Sequence, residues 1–192
     1  RLATIVDVNE DSTVLTFHLR EDAKWADGEP VTADDVVFTA RLYTPTSVNA
    51  LRKNNLEPFA GFGEGDYTLQ VEAIDEHTVS FTLREPTNVD YLLFNKFRDF
   101  YILPQHLLGD VPLSEIRNAD YWASPIGSGA CLFQSQISGE RIEFVPNPYY
   151  YQMNGNWDKF VLRVVPTGNL LAGLMNGEID ALAGNVGSLQ LS

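Results

Sequence analysis

Cysteine is almost missing from this sequence. The single thiol, Cys131, excludes a disulfide within the chain, and no cysteine-type zinc site can be assembled from it. Basic residues are scarce as well. Thirteen Lys and Arg stand against 26 Asp and Glu, for a net charge of -13. A nucleic-acid binder needs clustered Lys and Arg to replace counterions, so DNA and RNA are disfavoured as partners, as are anionic membrane surfaces. The plain meaning of the acidity is solubility. There is no run of about twenty apolar residues, so no segment of the sequence is suited to span a bilayer. A starting methionine, a basic leader and an apolar leader core are also missing: the sequence opens on Arg1-Leu2-Ala3 and stops at Gln190-Leu191-Ser192. It is expected to be a piece of a longer chain, attached to a membrane only through an anchor outside it.

What is present is an ordinary globular composition over 192 residues, long enough to bury a core. Residues 13–19 alternate with Leu15, Phe17 and Leu19 on one face, which predicts a half-buried strand. Asp27-Gly28 marks a turn. Thr32 precedes Asp35 by three residues, the spacing of a capping box with Asp in the usual Glu or Gln position. Val36, Val37 and Ala40 then predict a helix over about 33–43, with Asp34 and Asp35 in the first turn, where the helix dipole favours negative charge. Residues 44–66, rich in Pro, Asn and Gly, predict a long surface excursion.

Further along, 67–74 and 78–84 predict a hairpin turned at Asp75-Glu76-His77, with Val79, Phe81 and Leu83 inward. A helix is expected over 87–95, a short strand over 100–103 stopped by Pro104, and a short helical piece and loop over 104–124. Gly127-Ser128-Gly129 reads as a chain reversal that needs positive φ. A second hairpin is expected from 131–137 and 141–145, then an aromatic loop, a strand at 160–165, a helix capped by Thr167 and stopped by Gly177, and a last strand at 179–183. Hairpins alternating with separate helices predict a mixed α/β or α+β fold.

These pieces resemble the family 5 extracellular solute-binding proteins, the oligopeptide-, dipeptide- and nickel-binding receptors of ABC importers. That family reads roughly FxLRxxxxWxDGxPxTAxDVVxxxxR. The matching residues here are Phe17, Leu19, Arg20, Trp25, Asp27, Gly28, Pro30, Thr32, Ala33, Asp35, Val36, Val37 and Arg41. EAIDEHTVSFTLREP at 72–86, YILPQHLL at 101–108, PIGSGACLF at 125–133, RIEFVPNPYYY at 141–151 and NGEIDAL at 176–182 continue the likeness in order. Cys131 departs from it, standing where the family has an aromatic.

The resemblance implies a type II periplasmic-binding-protein-like fold. Residues 1–124 would be mostly the smaller subdomain of the first lobe and 125–192 part of its main subdomain, with a second lobe following Ser192. It implies a periplasmic protein or a cell-surface lipoprotein, a peptide or other small solute as ligand (nickel complexes and oligosaccharides being taken by relatives), and importer permease subunits as partners. It implies no cofactor and no catalysis, and weak binding at most by residues 1–192 alone. The family motif around Trp25 and Asp35 then reads as scaffold: a turn, a cap and a helix packed on Trp25.

The other groups that could carry chemistry have plainer uses. Asp34 and Asp35 are adjacent on a helix and do not converge on one atom. His18, His77 and His106 lack a partner at metal-binding spacing, and no metal site is expected. Cys131 is expected to be a buried, inert thiol. Tyr149, Tyr150, Tyr151 and Trp157 could stack on a ligand, against packing on the Asn147-Pro148 turn. The resemblance brings two segments to the cleft between lobes. One is Phe97, Arg98, Asp99 and Phe100, where Arg98 could meet a ligand carboxylate and Asp99 a ligand amine, against a plain surface ion pair. The other is Gly184, Asn185 and Val186, whose backbone could bond an extended peptide. A hydrolase and a sensor domain on a borrowed receptor fold are the competing classes, and no Ser-His or carboxylate set in the sequence speaks for the first.

Overall fold

Leu15, Phe17 and Leu19 lie on one side of strand β2 (Val14–Leu19) and all three are buried, as the alternation predicts. The structure, a computed structural model, describes residues 1–44, 48, 50, 53–65, 68–152 and 157–182. Strand β1 (Ala3–Val8) pairs antiparallel with β2. Asn9 closes the turn between them, its Oδ1 accepting from the Thr13 N–H at 2.8 Å and the Val14 N–H at 2.9 Å. β1 is not visible in the alternation because it is an edge strand, with Ile5 57% exposed.

The predicted hairpin forms as β3 (Val71–Asp75) and β4 (Thr78–Thr82). β4 docks on β2, giving the sheet order β1-β2-β4-β3. Helix α1 (Ala33–Leu42) covers this sheet with Val36, Val37 and Ala40. Its start follows the predicted cap, for the Thr32 N–H donates to Asp35 Oδ2 at 3.0 Å.

The expected surface excursion at 44–66 is overturned. Val48, Leu56 and Phe59 in this stretch are buried, and Leu56 and Phe59 join the core of the sheet. The turn-forming composition is real, but the turns fold inward: the Ala60 N–H donates to the Thr82 carbonyl at 2.8 Å and the Gln70 N–H to the Ala60 carbonyl at 2.9 Å. Gly61 makes this possible. It sits at φ +82°, and a Cβ there would lie 1.8 Å from the Thr68 carbonyl oxygen.

Helix α2 (Val89–Asn95) begins two residues later than predicted, because Asn88 caps it by accepting from the Tyr91 N–H at 2.9 Å. The strand expected at 100–103 does not form. That stretch takes no regular secondary structure, and α1 holds it, Thr39 Oγ1 accepting from the Leu103 N–H at 2.8 Å. Helix α3 (Gln105–Leu108) comes next.

A second sheet, of order β5-β6-β7, is built from β5 (Cys131–Ile137), β6 (Arg141–Pro146) and β7 (Phe160–Arg163). Three expectations fail here. Gly127 and Gly129 do not adopt positive φ; the glycine that does is Gly139, at φ +74° in the β5–β6 turn. Cys131, at the start of β5, is exposed and not buried. Helix α4 (Thr167–Met175) takes Pro166 as its N-cap, so Thr167 is its first residue and not its cap.

The stop at Gly177 holds, with φ +72°. Beyond it no strand forms through Leu182. The N–H groups of Glu178 and Ile179 turn back to the Gly173 carbonyl at 2.8 and 3.1 Å, and Ile179 packs on Gly173, where a Cβ would come within 2.7 Å.

The segment between β2 and α1 and the loops flanking the second sheet share a small core of Ala23, Trp25 and Val31, against which Ile126 and Tyr151 pack. Arg20 lies 4.4 Å from the centroid of the Tyr151 ring, a cation–π contact across the same junction.

Glu143 on β6 accepts from Arg141 Nε at 2.8 Å and from Lys159 Nζ at 2.9 Å. The hydrogen bond from Lys159, then that from Arg141, holds its carboxyl down at about 2, from an ordinary 4.5. A depressed carboxylate contributes stability that is complete above its unfolded value and is lost as pH falls through the folded one. Urea denaturation of Glu143→Gln beside the parent should therefore show a difference at pH 7 that persists to about pH 4.5 and disappears towards pH 2. A difference independent of pH would contradict this pairing.

Candidate functional site

α2 ends at Asn95, and two backbone bonds shape the turn beyond it. The Phe97 N–H donates to the Leu92 carbonyl at 3.0 Å, and the Phe100 N–H to the Phe97 carbonyl at 3.2 Å. This turn drives the Phe97 ring into the aromatic core, 4.8 Å from Phe17, 5.2 Å from Phe81 and 5.4 Å from Phe59 between centroids. Phe100 packs edge-on against Phe97 at 5.9 Å. Arg98 is thrown outward and exposed.

Phe97, Arg98 and Phe100 all line one groove of about 500 Å³. Its far wall is the start of the chain, with Leu2 and Val6, and its floor includes Phe17. Phe94 of α2 forms the near lip and is 61% exposed. The Arg1 guanidinium lies 5.9 Å from the Phe94 ring centroid. The groove is thus lined mostly by apolar residues, with Arg1 and Arg98 among the rest, and among the described residues no Asp or Glu lines it.

Of the residues singled out in the sequence, the structure therefore gathers Phe97, Arg98 and Phe100. Asp99 is partly buried and does not line the groove. Gly184, Asn185 and Val186 lie outside the described residues. Arg1 and Phe94 were not anticipated. The signal that could have found Phe94 is the pair Tyr91 and Phe94, three apart on the face of α2 opposite its buried Leu92.

The other candidates have structural partners. Asp35 is buried and accepts from three donors: the Thr32 N–H at 3.0 Å, Trp25 Nε1 at 3.0 Å and the Gln105 N–H at 2.8 Å. Asp34 beside it is exposed. His18 Nε2 meets Asp7 Oδ2 at 2.9 Å, and His106 Nε2 meets Asp27 Oδ2 at 2.8 Å. Partial burial opposes ionisation of Asp27, but the hydrogen bonds from His106 and the Glu29 N–H outweigh it and hold the carboxyl below its ordinary range. Burial pushes the Tyr121 phenol up to about 12, and its OH donates to the Ile126 carbonyl at 2.6 Å.

Asn147 is fully buried, with its Nδ2 donating to the Gly129 carbonyl at 2.8 Å and its Oδ1 accepting from the Tyr149 N–H at 2.9 Å. Tyr149 and Tyr151 lie against Gly28 and Arg20, so these two tyrosines serve the junction between sheets. Among the described residues no group of three or more His, Cys, Asp or Glu is placed to hold a metal ion, and no helix is long and apolar enough to cross a membrane.

Comparison with known proteins places this architecture. Residues 1–191 match the model of the bacterial extracellular solute-binding proteins, family 5 Middle. The periplasmic oligopeptide-binding protein OppA of Salmonella typhimurium is 35% identical over 156 residues, covering 74% of this chain and 27% of its own. Two solved structures cover 93% of the chain. AppA from Bacillus subtilis in complex with a nonapeptide has a TM-score of 0.80 at 25% identity, over 34% of its length. NikZ from Campylobacter jejuni in complex with Ni(L-His) has a TM-score of 0.77 at 27% identity, over 33% of its length. The chain thus spans about a third of the length of the proteins it matches. Its mixed helix-and-sheet fold is that of the periplasmic binding proteins, and it belongs to the family 5 bacterial extracellular solute-binding proteins.

Proposed function

We propose that this chain is part of the solute-binding component of an ABC importer, which captures a peptide between two lobes that close by hinge motion and delivers it to the permease subunits. The likeness to AppA, whose structure holds a nonapeptide, is the observation that carries this reading. Residues 1–124 serve as the smaller subdomain of the first lobe and 125–192 as part of its main subdomain; the two sheets fall on either side of that division. The turn from Phe97 to Phe100 and the segment from Gly184 to Val186 face the ligand. The protein performs no catalysis; the buried Asp35 and the histidine–aspartate pairs hold the scaffold. It works in the periplasm or as a lipoprotein at the cell surface.

A thermal-shift screen of the protein at its full natural length tests this, with pooled di- to penta-peptides, sugars and nickel chelates. Ligand present at about a hundred times its Kd stabilises the native state by roughly 2.7 kcal/mol, which raises the midpoint by several degrees. A rise with the peptide pools alone is expected. A folded protein that ignores every peptide pool would sink the peptide reading.

A further inference from the structure

The stretch after α3 carries a face that solute capture leaves unused. Two grooves flank it, one of about 490 Å³ against α1 and one of about 570 Å³ against the turns at Ile116–Asn118 and Asp120–Ala123, and Val111 lines both. Neither shares a residue with the groove at Phe97–Phe100. Phe38, Leu113 and Ile116 give the first an apolar lining, and Leu108 and Tyr121 the second. Leu107 lines the second groove and is 39% exposed. Beyond it the Trp122 ring is 44% exposed and stands edge-on to Tyr121, 4.9 Å between centroids. Its N–H already donates to the Ile116 carbonyl at 2.6 Å, so the exposed part of the ring has no polar group to offer water. An indole left half in solvent beside an apolar groove is the usual anchor of an interface.

The charges around this strip are mostly acidic. Asp34 and Asp110 line the first groove, Glu115 and Asp120 the second, all exposed and none in an ion pair among the described residues. The one base lining either groove, Arg41, turns its Nη2 onto the Val71 carbonyl at 3.3 Å. Arg117 belongs to the same stretch and lines neither groove.

From this arrangement we infer that the face is a docking site for a basic amphipathic helix of another protein, its apolar side chains in the two grooves and its Lys and Arg on the four carboxylates. No strand lines either groove, so the occupant gains no backbone ladder and is held by side chains, as a helix laid in a groove is. The carboxylates repel acidic partners and speed encounter with basic ones, and the apolar floors supply the affinity.

Fluorescence titration of the protein at its full natural length decides the matter. The probes are a Lys/Leu amphipathic helix of about 18 residues, blocked at both ends and long enough to hold its turns, and the same helix with Glu for Lys. The Lys helix should shift the Trp122 emission to the blue, and Trp122→Phe should remove the shift. The Glu helix should bind at least about tenfold more weakly. Trp122→Ala should weaken the Lys helix about tenfold. Asp110→Asn with Glu115→Gln and Asp120→Asn should weaken it several-fold and flatten its salt dependence. These three carboxylates are exposed, so their replacement leaves the core intact. Any short free peptide that the protein binds should bind the variants as it binds the parent.

Equal binding of the two helices, or a Lys helix indifferent to both variants, overturns the inference. So does competition between the Lys helix and a short peptide, which would put the probe in the solute site. If the protein self-associates in sedimentation and Trp122→Ala abolishes that, the occupant is a second copy of this chain and the inference is likewise overturned.

Discussion

Asp35→Ala is expected to cost about 3 kcal/mol or more of folding stability, a large share of what a domain of this size has. The carboxylate sits buried at the start of α1 and accepts from Thr32, Trp25 and Gln105. Removing it strands the buried indole N–H of Trp25, at about 1–3 kcal/mol, takes the acceptor from the part-buried Gln105 amide, and takes the cap from the helix as well. Asp35→Asn should lose less. Its carbonyl still accepts, but its NH2 now opposes one of the three donors. Urea denaturation followed by tryptophan fluorescence measures both, since Trp25 is itself a partner. A loss below about 1 kcal/mol in the alanine variant would mean the three donors find other acceptors, and the picture of Asp35 as the tie between turn, helix and the 105 segment would be wrong.

Phe81→Ala should cost about 3–5 kcal/mol, the usual toll of deleting a buried ring. Phe81 is 1% exposed and meets Phe59 and Phe97 at 5.2 Å, Phe17 at 5.7 Å and Phe100 at 6.3 Å between centroids. Five rings converge here from β2, β4, the inward turns and the stretch after α2. No one neighbour can collapse into the space without breaking its other contacts. Phe81→Leu should lose markedly less. The double substitution Phe81→Ala with Phe97→Ala should cost less than the two singles together, because the pair they share is lost only once. Strict additivity of the two, measured in urea, would show that the rings do not pack as a unit.

The parts of the fold that local chemistry decides were legible in the sequence. β2 and β4 announce themselves by alternation, α1 by Thr32 and Asp35, and the stop of α4 by Gly177. What failed depended on distant neighbours. Residues 100–103 have strand composition, but Thr39 takes the Leu103 amide that a ladder would use. The turn-rich stretch before β3 reads as surface, yet Leu56 and Phe59 are buried because Gly61 lets the chain fold back beneath Thr68. Cys131 looks apolar in sequence, but it lies on a strand whose side chains are mostly exposed among the described residues. At the candidate site, Phe97, Arg98 and Phe100 could be named because charge and aromatics mix there. Arg1 could not, since it reaches the groove only through pairing of β1 with β2.

The strand order β1-β2-β4-β3 has a kinetic meaning. β1 with β2, and β3 with β4, are neighbours in the chain and close as hairpins in microseconds. The central seam, where Phe17 lies opposite Val79, joins residues on either side of α1 and the inward turns. Closing that long loop is the slow, entropically expensive step, and the aromatic side chains along the seam are its first reward. The acquisition of the four-stranded sheet should thus be governed by how soon β2 finds β4, with the ring cluster assembling at the same moment as the barrier is crossed.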